Sequence, residues 1–215
     1  MASQTQQLEN PAPPGLGYPT ETYERRHFNE NNGALTVYFK KLSFVLGSLF
    51  GPRGGRFMNN PYGAFQSTAD QTAAAANTAY AMMLNTTDYA NGVSVASNSR
   101  ITVADAGIWN LQWSGQFQNT TSQLHDVRVW LKINGTVVTG STGFISVPSS
   151  HGGINGHSIA GWNYFVSLNA TDYVEIWWET DNTAISIQAY PASGNYPSTA
   201  SVIATMSFVS NLPTI

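Results

Sequence analysis

The chain has 215 residues and a formal net charge of −3, with 42% apolar and only 10% charged side chains and no cysteine. The missing cysteine excludes a disulfide framework, a thiolate zinc site and a thiol nucleophile. Six cations (Arg25, Arg26, Lys40, Lys41, Arg53, Arg56) face four glutamates in residues 1–56, and three cations face eight acids beyond. Neither part holds the concentrated basic stripe that nucleic acid requires.

The opening residues lack the basic start and apolar core of a secretory signal. No apolar run approaches the ~20 residues of a bilayer span, so no membrane insertion is expected. The expectation is a chain made in a host cytoplasm. The Asn-x-Ser/Thr matches at Asn85, Asn119, Asn134 and Asn169 then read as polar turns. Low charge with much Asn, Thr, Ser and Gly suits a protein that packs beside copies of itself, and equally the wet faces of an all-β domain.

Residues 1–22 contain Pro11, Pro13, Pro14 and Pro19 among glycines and polar groups. Such a segment cannot build a core, and reads as an extended arm that lies on a neighbour or as a loose tail. Residues 23–61 form a second segment. In it Leu35, Tyr38, Phe39, Leu42, Val45, Leu46 and Leu49 follow the i, i+3, i+4, i+7 spacing of an amphipathic helix. Phe28 begins that helix, Gly51-Pro52 ends it, and Gly51-Pro-Arg-Gly-Gly55 reads as a hinge. Gly33 and Gly47 each weaken it by about 1 kcal/mol against alanine, so its apolar stripe needs a partner. That partner is the chain's own β domain or, by preference, copies of the helix in a short bundle.

From Tyr62 to the end, short strands alternate with turn signals in a third segment, residues 62–215. Ala76–Leu84 reads as a strand and Asn85-Thr-Thr-Asp88 as the turn after it. Gly92–Ala96 and Ile101–Val103 lead to an Asp105-Ala-Gly107 turn. The run Gly107–Phe117 then places Trp109, Leu111, Trp113, Gly115 and Phe117 on one side and Asn110, Gln112, Ser114 and Gln116 on the other. Val127–Ile133 alternates likewise and meets Asn134-Gly135, a strong two-residue hairpin signal. Ser149–Gly156 is a Gly/Ser/His loop. Trp162–Leu168, Tyr173–Glu179, Ile185–Ala189 and Val202–Phe208 supply further strands, with a Pro191–Pro197 loop between the last two. Eight to ten strands in ~150 residues without an interrupting helix fit an antiparallel jelly roll.

Catalytic chemistry finds little footing. His151 and His157 share a glycine-rich loop with no carboxylate nearby, so no metal site and no cofactor are expected. Glu175 and Glu179 share a strand face with Tyr173 and Trp177, the one place where a saccharide-cleaving pair could be sought. No nucleophile elbow and no Ser/His/Asp set accompanies them. Trp109, Trp113, Trp162 and Trp178 fall on apolar faces as core. Trp130, Trp177 and Phe165 fall on the wet phase and read as a subunit interface.

Tyr62-Gly-Ala-Phe65, Asn85–Val93, Ile101–Trp109, Val166–Val174 and Val202–Phe208 together resemble the C1q/tumour-necrosis-factor jelly roll of bacteriophage virion proteins. Tyr38–Leu42 followed by Gly51–Gly55 is similar to the virion-attachment part of such proteins. The resemblance implies a non-enzymatic homotrimer located in the virion, docked on tail, baseplate or capsid proteins through residues 1–56. It implies a mainly β, antiparallel jelly-roll sandwich, preceded by the arm and helix, that presents loops to a host-surface saccharide or protein. The expected subunit contacts are Leu35, Phe39, Leu42, Leu46, Leu49, Trp130, Phe165 and Trp177. The expected contact loops carry Ser150, His151, Asn155, His157, Asn195 and Tyr196. A short fibre or fibre tip leads; a capsid decoration protein and a polysaccharide-degrading tail enzyme are the alternatives.

Overall fold

The computed structural model describes residues 11–18, 21–50 and 59–212. The expected hinge Gly51–Gly55, the start of the arm and the Gly51-Pro52 helix stop lie outside the described residues. The chain divides into two compact units, Met1–Asn59 and Asn60–Ile215.

In the first unit one helix, α1, runs Arg25–Phe50. It starts three residues before Phe28, and the Phe28 amide donates to the Glu24 carbonyl at 3.1 Å. Tyr23, just ahead of the cap, meets Phe28 with ring centroids 6.0 Å apart, the geometry of a hydrophobic staple. Part of the expected arm folds back here. The Gly17 amide donates to Asn31 Oδ1 at 3.1 Å, and Asn31 Nδ2 sits 3.1 Å from His27 Nε2. No residue of α1 is buried.

By length and composition α1 could cross a membrane, which corrects the expectation that no run approaches that length. Lys40 and Lys41 nevertheless stand in the middle of its apolar part. A lysine at the centre of a span costs about 2.5–3.5 kcal/mol, enough to oppose spanning.

The second unit is all strand and turn. Its first strands are Tyr62–Ser67 (β1), Gln71–Thr72 (β2), Tyr80–Ala81 (β3), Thr86–Asn91 (β4), Val93–Ala96 (β5), Arg100–Val103 (β6) and Gly107–Asn119 (β7). The rest are His125–Ile133 (β8), Thr136–Val137 (β9), Gly143–Val147 (β10), Gly156–Leu168 (β11), Tyr173–Thr180 (β12), Ile185–Ile187 (β13) and Val202–Ser210 (β14).

Two antiparallel sheets result. Sheet A has the order β2-β13-β7-β14-β1-β4, with β11 on the other edge of β7. Sheet B has the order β10-β8-β12-β6-β5, with β3 on β12 and β9 on β8.

The core lies between the sheets because period-two alternation turns one face of each inward. Trp109, Leu111 and Phe117 from β7 and Val127, Leu131, Ile176 and Trp178 from sheet B belong to a single buried cluster. Phe117 meets Trp178 with centroids 6.3 Å apart and Trp109 meets Phe208 edge-on at 5.5 Å. Trp162, expected in the core, is half-buried at the sandwich edge, 5.6 Å from Trp113 and over Gly143. A Cβ on Gly143 would stand 2.4 Å from the Trp162 ring, so glycine is what lets β10 close that edge. The Asn134-Gly135 hairpin forms with both residues at positive φ, 49° and 80°, as a type I′ turn demands.

Three expectations change. Ala76–Leu84 pairs only at Tyr80–Ala81, since alanine offers little to a pleated surface. Asn85–Asp88 is not a turn, because β4 begins at Thr86 and forms the mostly exposed edge of sheet A, where no apolar alternation marks it. The strand β10, absent from the sequence expectation, pairs with β8 from Gly143 to Val147.

Candidate assembly and recognition surfaces

The register places the loops at one end of the sandwich. Gly156 opposes Asn119, Ile187 opposes Phe117, and Val202 opposes Gly115. The connections 148–155 and 188–201 therefore lie together at the Asn119 end of β7. The chain enters the domain at the other end, where Tyr62 opposes Ser207 and Ser207 opposes Asn110.

The two expected contact loops are small closed turns rather than loose segments. His151 and Ile154 exchange amide–carbonyl bonds of 2.9 and 3.0 Å around Gly152 and Gly153, both at positive φ. Ser193 and Tyr196 do the same at 3.2 Å, with Tyr190 paired to Thr199 below them. Ser150 donates its amide to the Thr121 carbonyl at 2.6 Å, while His151, Asn155, Asn195 and Tyr196 are exposed.

His157 belongs to a different arrangement. The Gln118 amide donates to Tyr190 Oη at 2.8 Å, and that hydroxyl lies 3.2 Å from His157 Nδ1. Burial, with the nearby Asp70 charge, raises the Tyr190 phenol above its ordinary value, against the hydrogen bond from Gln118. Its proton stays on at neutral pH. Among the described residues no three His, Asp or Glu side chains converge as metal ligands.

Residues without a sequence signal hold this end together. Asn119, expected to be a polar turn, is fully buried. Its Nδ2 donates to the Gln123 and Val147 carbonyls at 2.7 and 3.2 Å, and its Oδ1 accepts from the Thr121 amide and hydroxyl. Ser201 donates its hydroxyl to the Ala69 carbonyl at 2.7 Å, tying the 68–70 turn to β14.

The expected interface aromatics do not form one patch. Trp130 and Trp177 are directly opposed on the outer face of sheet B, whereas Phe165 opposes Asn110 on the outer face of sheet A. Both tryptophans are half-buried. Lys132 Nζ stands 3.4 Å from the Trp177 ring centroid, and the Trp177 indole donates to Glu175 Oε2 at 3.3 Å.

Sheet B carries a charge ladder around these indoles. Glu175, 5% exposed, accepts from Ser99 Oγ at 2.7 Å and faces Arg100 Nε at 3.6 Å. Arg128 donates to Glu179 at 2.7 Å. The two carboxylates weighed as a cleaving pair are thus each held by a cation of the same sheet.

Sheet A differs. Every outward position of β11, β7, β14 and β1 lacks Asp, Glu, Lys and Arg. Asn110, Gln112, Ser114, Gln116, Asn163, Thr205 and Ser207 cover it, and Phe165, Ile159 and Ile203 stand open at 67%, 74% and 47% exposure. On α1, Leu35, Leu42 and Leu49 are half-covered while Phe39 and Leu46 are exposed, all on one stripe.

No family model matches the chain, and no curated protein matches it significantly.

Proposed function

We propose that this chain is a non-enzymatic structural protein of a bacteriophage virion. It is a homotrimer attached through residues 1–56 that presents a jelly-roll domain, as a short fibre or fibre tip, for contact with the host surface. The observation that carries the reading is the outer face of β11, β7, β14 and β1 in sheet A, which bears no Asp, Glu, Lys or Arg; the nearest acid, Asp88, stands on the edge strand β4. Such a face can be buried against copies of itself without desolvating an ion, and its exposed Phe165, Ile159 and Ile203 supply apolar contact.

The strand topology supports the jelly roll, since the chain changes sheet at β2 to β3, β3 to β4, β4 to β5, β6 to β7, β7 to β8, β10 to β11, β11 to β12 and β12 to β13, while β1 lies beside β14. The two ends of the domain support the orientation: the chain enters at Tyr62 and the loops gather at the Asn119 end. The resembling motifs named above supply the virion setting.

Phe165 and Trp177 lie on opposite faces of the sandwich, and Trp177 is already covered within the chain by Lys132 and Glu175. The trimer therefore uses sheet A, with the α1 stripe packed copy against copy. Light scattering of the full chain tests the assembly, with a mass three times that of one chain expected and a monomer refuting it. A particle reconstruction tests the setting. Few copies at a tail or fibre tip agree with the proposal, and a lattice-wide copy number on the head would replace the fibre by a capsid decoration protein.

A further inference from the structure

At the Asn119 end a groove of about 460 Å³ opens between the β1–β2 turn and the segment leading into β14. Its size lies within the ~300–1,000 Å³ of small-molecule sites. Its walls are Gln66, Thr68 and Asp70 on one side and Tyr190, Ser198 and Thr199 on the other. Asp70 is the one charged group in this lining. With a carboxylate and no cation, the groove repels phosphates, sulfates and uronic acids. What remains is the hydroxyls of Thr68, Ser198 and Thr199, an amide and a carboxylate around an aromatic ring, with Ala189, Pro191 and Ala200 completing the lining, a set that pairs with the hydroxyls and C–H face of a neutral sugar.

The groove is also built before any ligand arrives. Asp70 Oδ1 accepts from the Ala189 amide at 2.8 Å. With the Gln188 side chain oriented so that its oxygen accepts from Ser186 Oγ, its amide donates to both Asp70 oxygens at 3.1 and 3.2 Å. Tyr190 is pinned from behind by Gln118 and His157, and its backbone pairs with Thr199. Thr68 is held through Asn85 Oδ1, which accepts its amide at 3.0 Å. Positions locked in this way spare a weakly bound ligand the ordering cost of the site.

We infer that this groove binds a neutral oligosaccharide, with Asp70, Thr68 and Ser198 as hydroxyl partners and Tyr190 as the stacking ring. The inference rests on the host-contact reading of this end and names its ligand class. None of the sequence-expected contact residues lines the groove. His157 acts through Tyr190 as a positioning residue.

The test uses the full chain and saturation-transfer NMR with maltotriose, N,N′,N″-triacetylchitotriose, mannotriose and, as the anionic counterpart, trigalacturonate. At least one neutral trisaccharide is expected to receive saturation and to titrate, and trigalacturonate is expected not to. Ser198→Trp, at an exposed position that fills the groove without touching the core, is expected to weaken that binding at least tenfold. Tyr190→Ala is expected to act likewise, and Ile154→Ala on the neighbouring turn to leave it unchanged. Absence of binding to all three neutral sugars, preference for trigalacturonate, or unaltered affinity in Ser198→Trp overturns the inference. A trimer that binds no sugar removes the groove and keeps the assembly, and a monomer that still binds does the reverse.

Discussion

On sheet B three of the outward aromatics lie beside a cation. Trp177 sits under Lys132 at 3.4 Å, Tyr173 under the Arg100 guanidinium at 4.6 Å, and Phe144 beside that of Arg128 at 5.6 Å. On sheet A, Phe165, Ile159 and Ile203 stand among Asn, Gln, Ser and Thr with nothing charged across β11, β7, β14 and β1. Both faces obey the same period-two rule and both break it with large apolar groups. The difference lies in what the neighbours do. An indole roofed by an ammonium and hydrogen-bonded to a carboxylate is satisfied within one chain. A phenylalanine on a neutral amide surface is not. An out-of-phase aromatic therefore argues for an interface only when its cross-strand neighbours leave it bare.

The strongest way to break this comparison is to charge sheet A. Phe165→Asp combined with Ile203→Asp is expected to turn the trimer into a monomer in light scattering, because each copy would bury unpaired carboxylates at the contact. Trp177→Ala on sheet B is expected to leave the trimer intact. The opposite result would move the interface to sheet B.

Removing the ladder's buried acid comes next in size. Glu175→Ala strips the acceptor from the buried Ser99 hydroxyl and the Trp177 indole and leaves Arg100 unpaired. A loss of about 1–3 kcal/mol in urea unfolding is expected, and no loss would mean that the ladder is ornamental. Arg128→Ala, at the partly exposed pair with Glu179, is expected to lower the urea midpoint by less than Glu175→Ala does, and by less again in high salt.

The smallest effect sharpens the role of the end where the chain enters. There the Asn134 side chain and then the Asn169 amide hold Asp172 below the ordinary aspartate value, despite some desolvation. A depressed folded value means that the contribution is complete above the ordinary carboxylate range and fades as pH falls through the folded value. The urea midpoint of the unaltered chain is expected to exceed that of Asp172→Asn at neutral pH, the gap closing on acidification. A gap independent of pH would show that Asp172 acts by shape rather than charge.

Much of the architecture was legible in the chain itself, for a local reason. Alternation along Gly107–Phe117 marked β7, Asn134-Gly135 marked the β8–β9 hairpin, and the Leu35–Leu49 stripe marked α1, since the periods of 2 and 3.6 are properties of single segments. The edge strand β4 escaped because half-exposed polar strands carry no such period. The strand β10 escaped because its place depends on Trp162 of β11 lying over Gly143. Segments alone also left open which face an outward aromatic shares and with whom. Ser99 and Glu175 are 76 positions apart, yet their contact helps hold the acid that receives the Trp177 indole. Likewise Asn119 became a buried hub, and Asp70 came to face Tyr190, only once distant strands were paired. The sequence by itself determined which residues turn inward; long-range pairing decided which of the outward ones are already satisfied, because a side chain's neighbours across a sheet are set by register and not by its own segment.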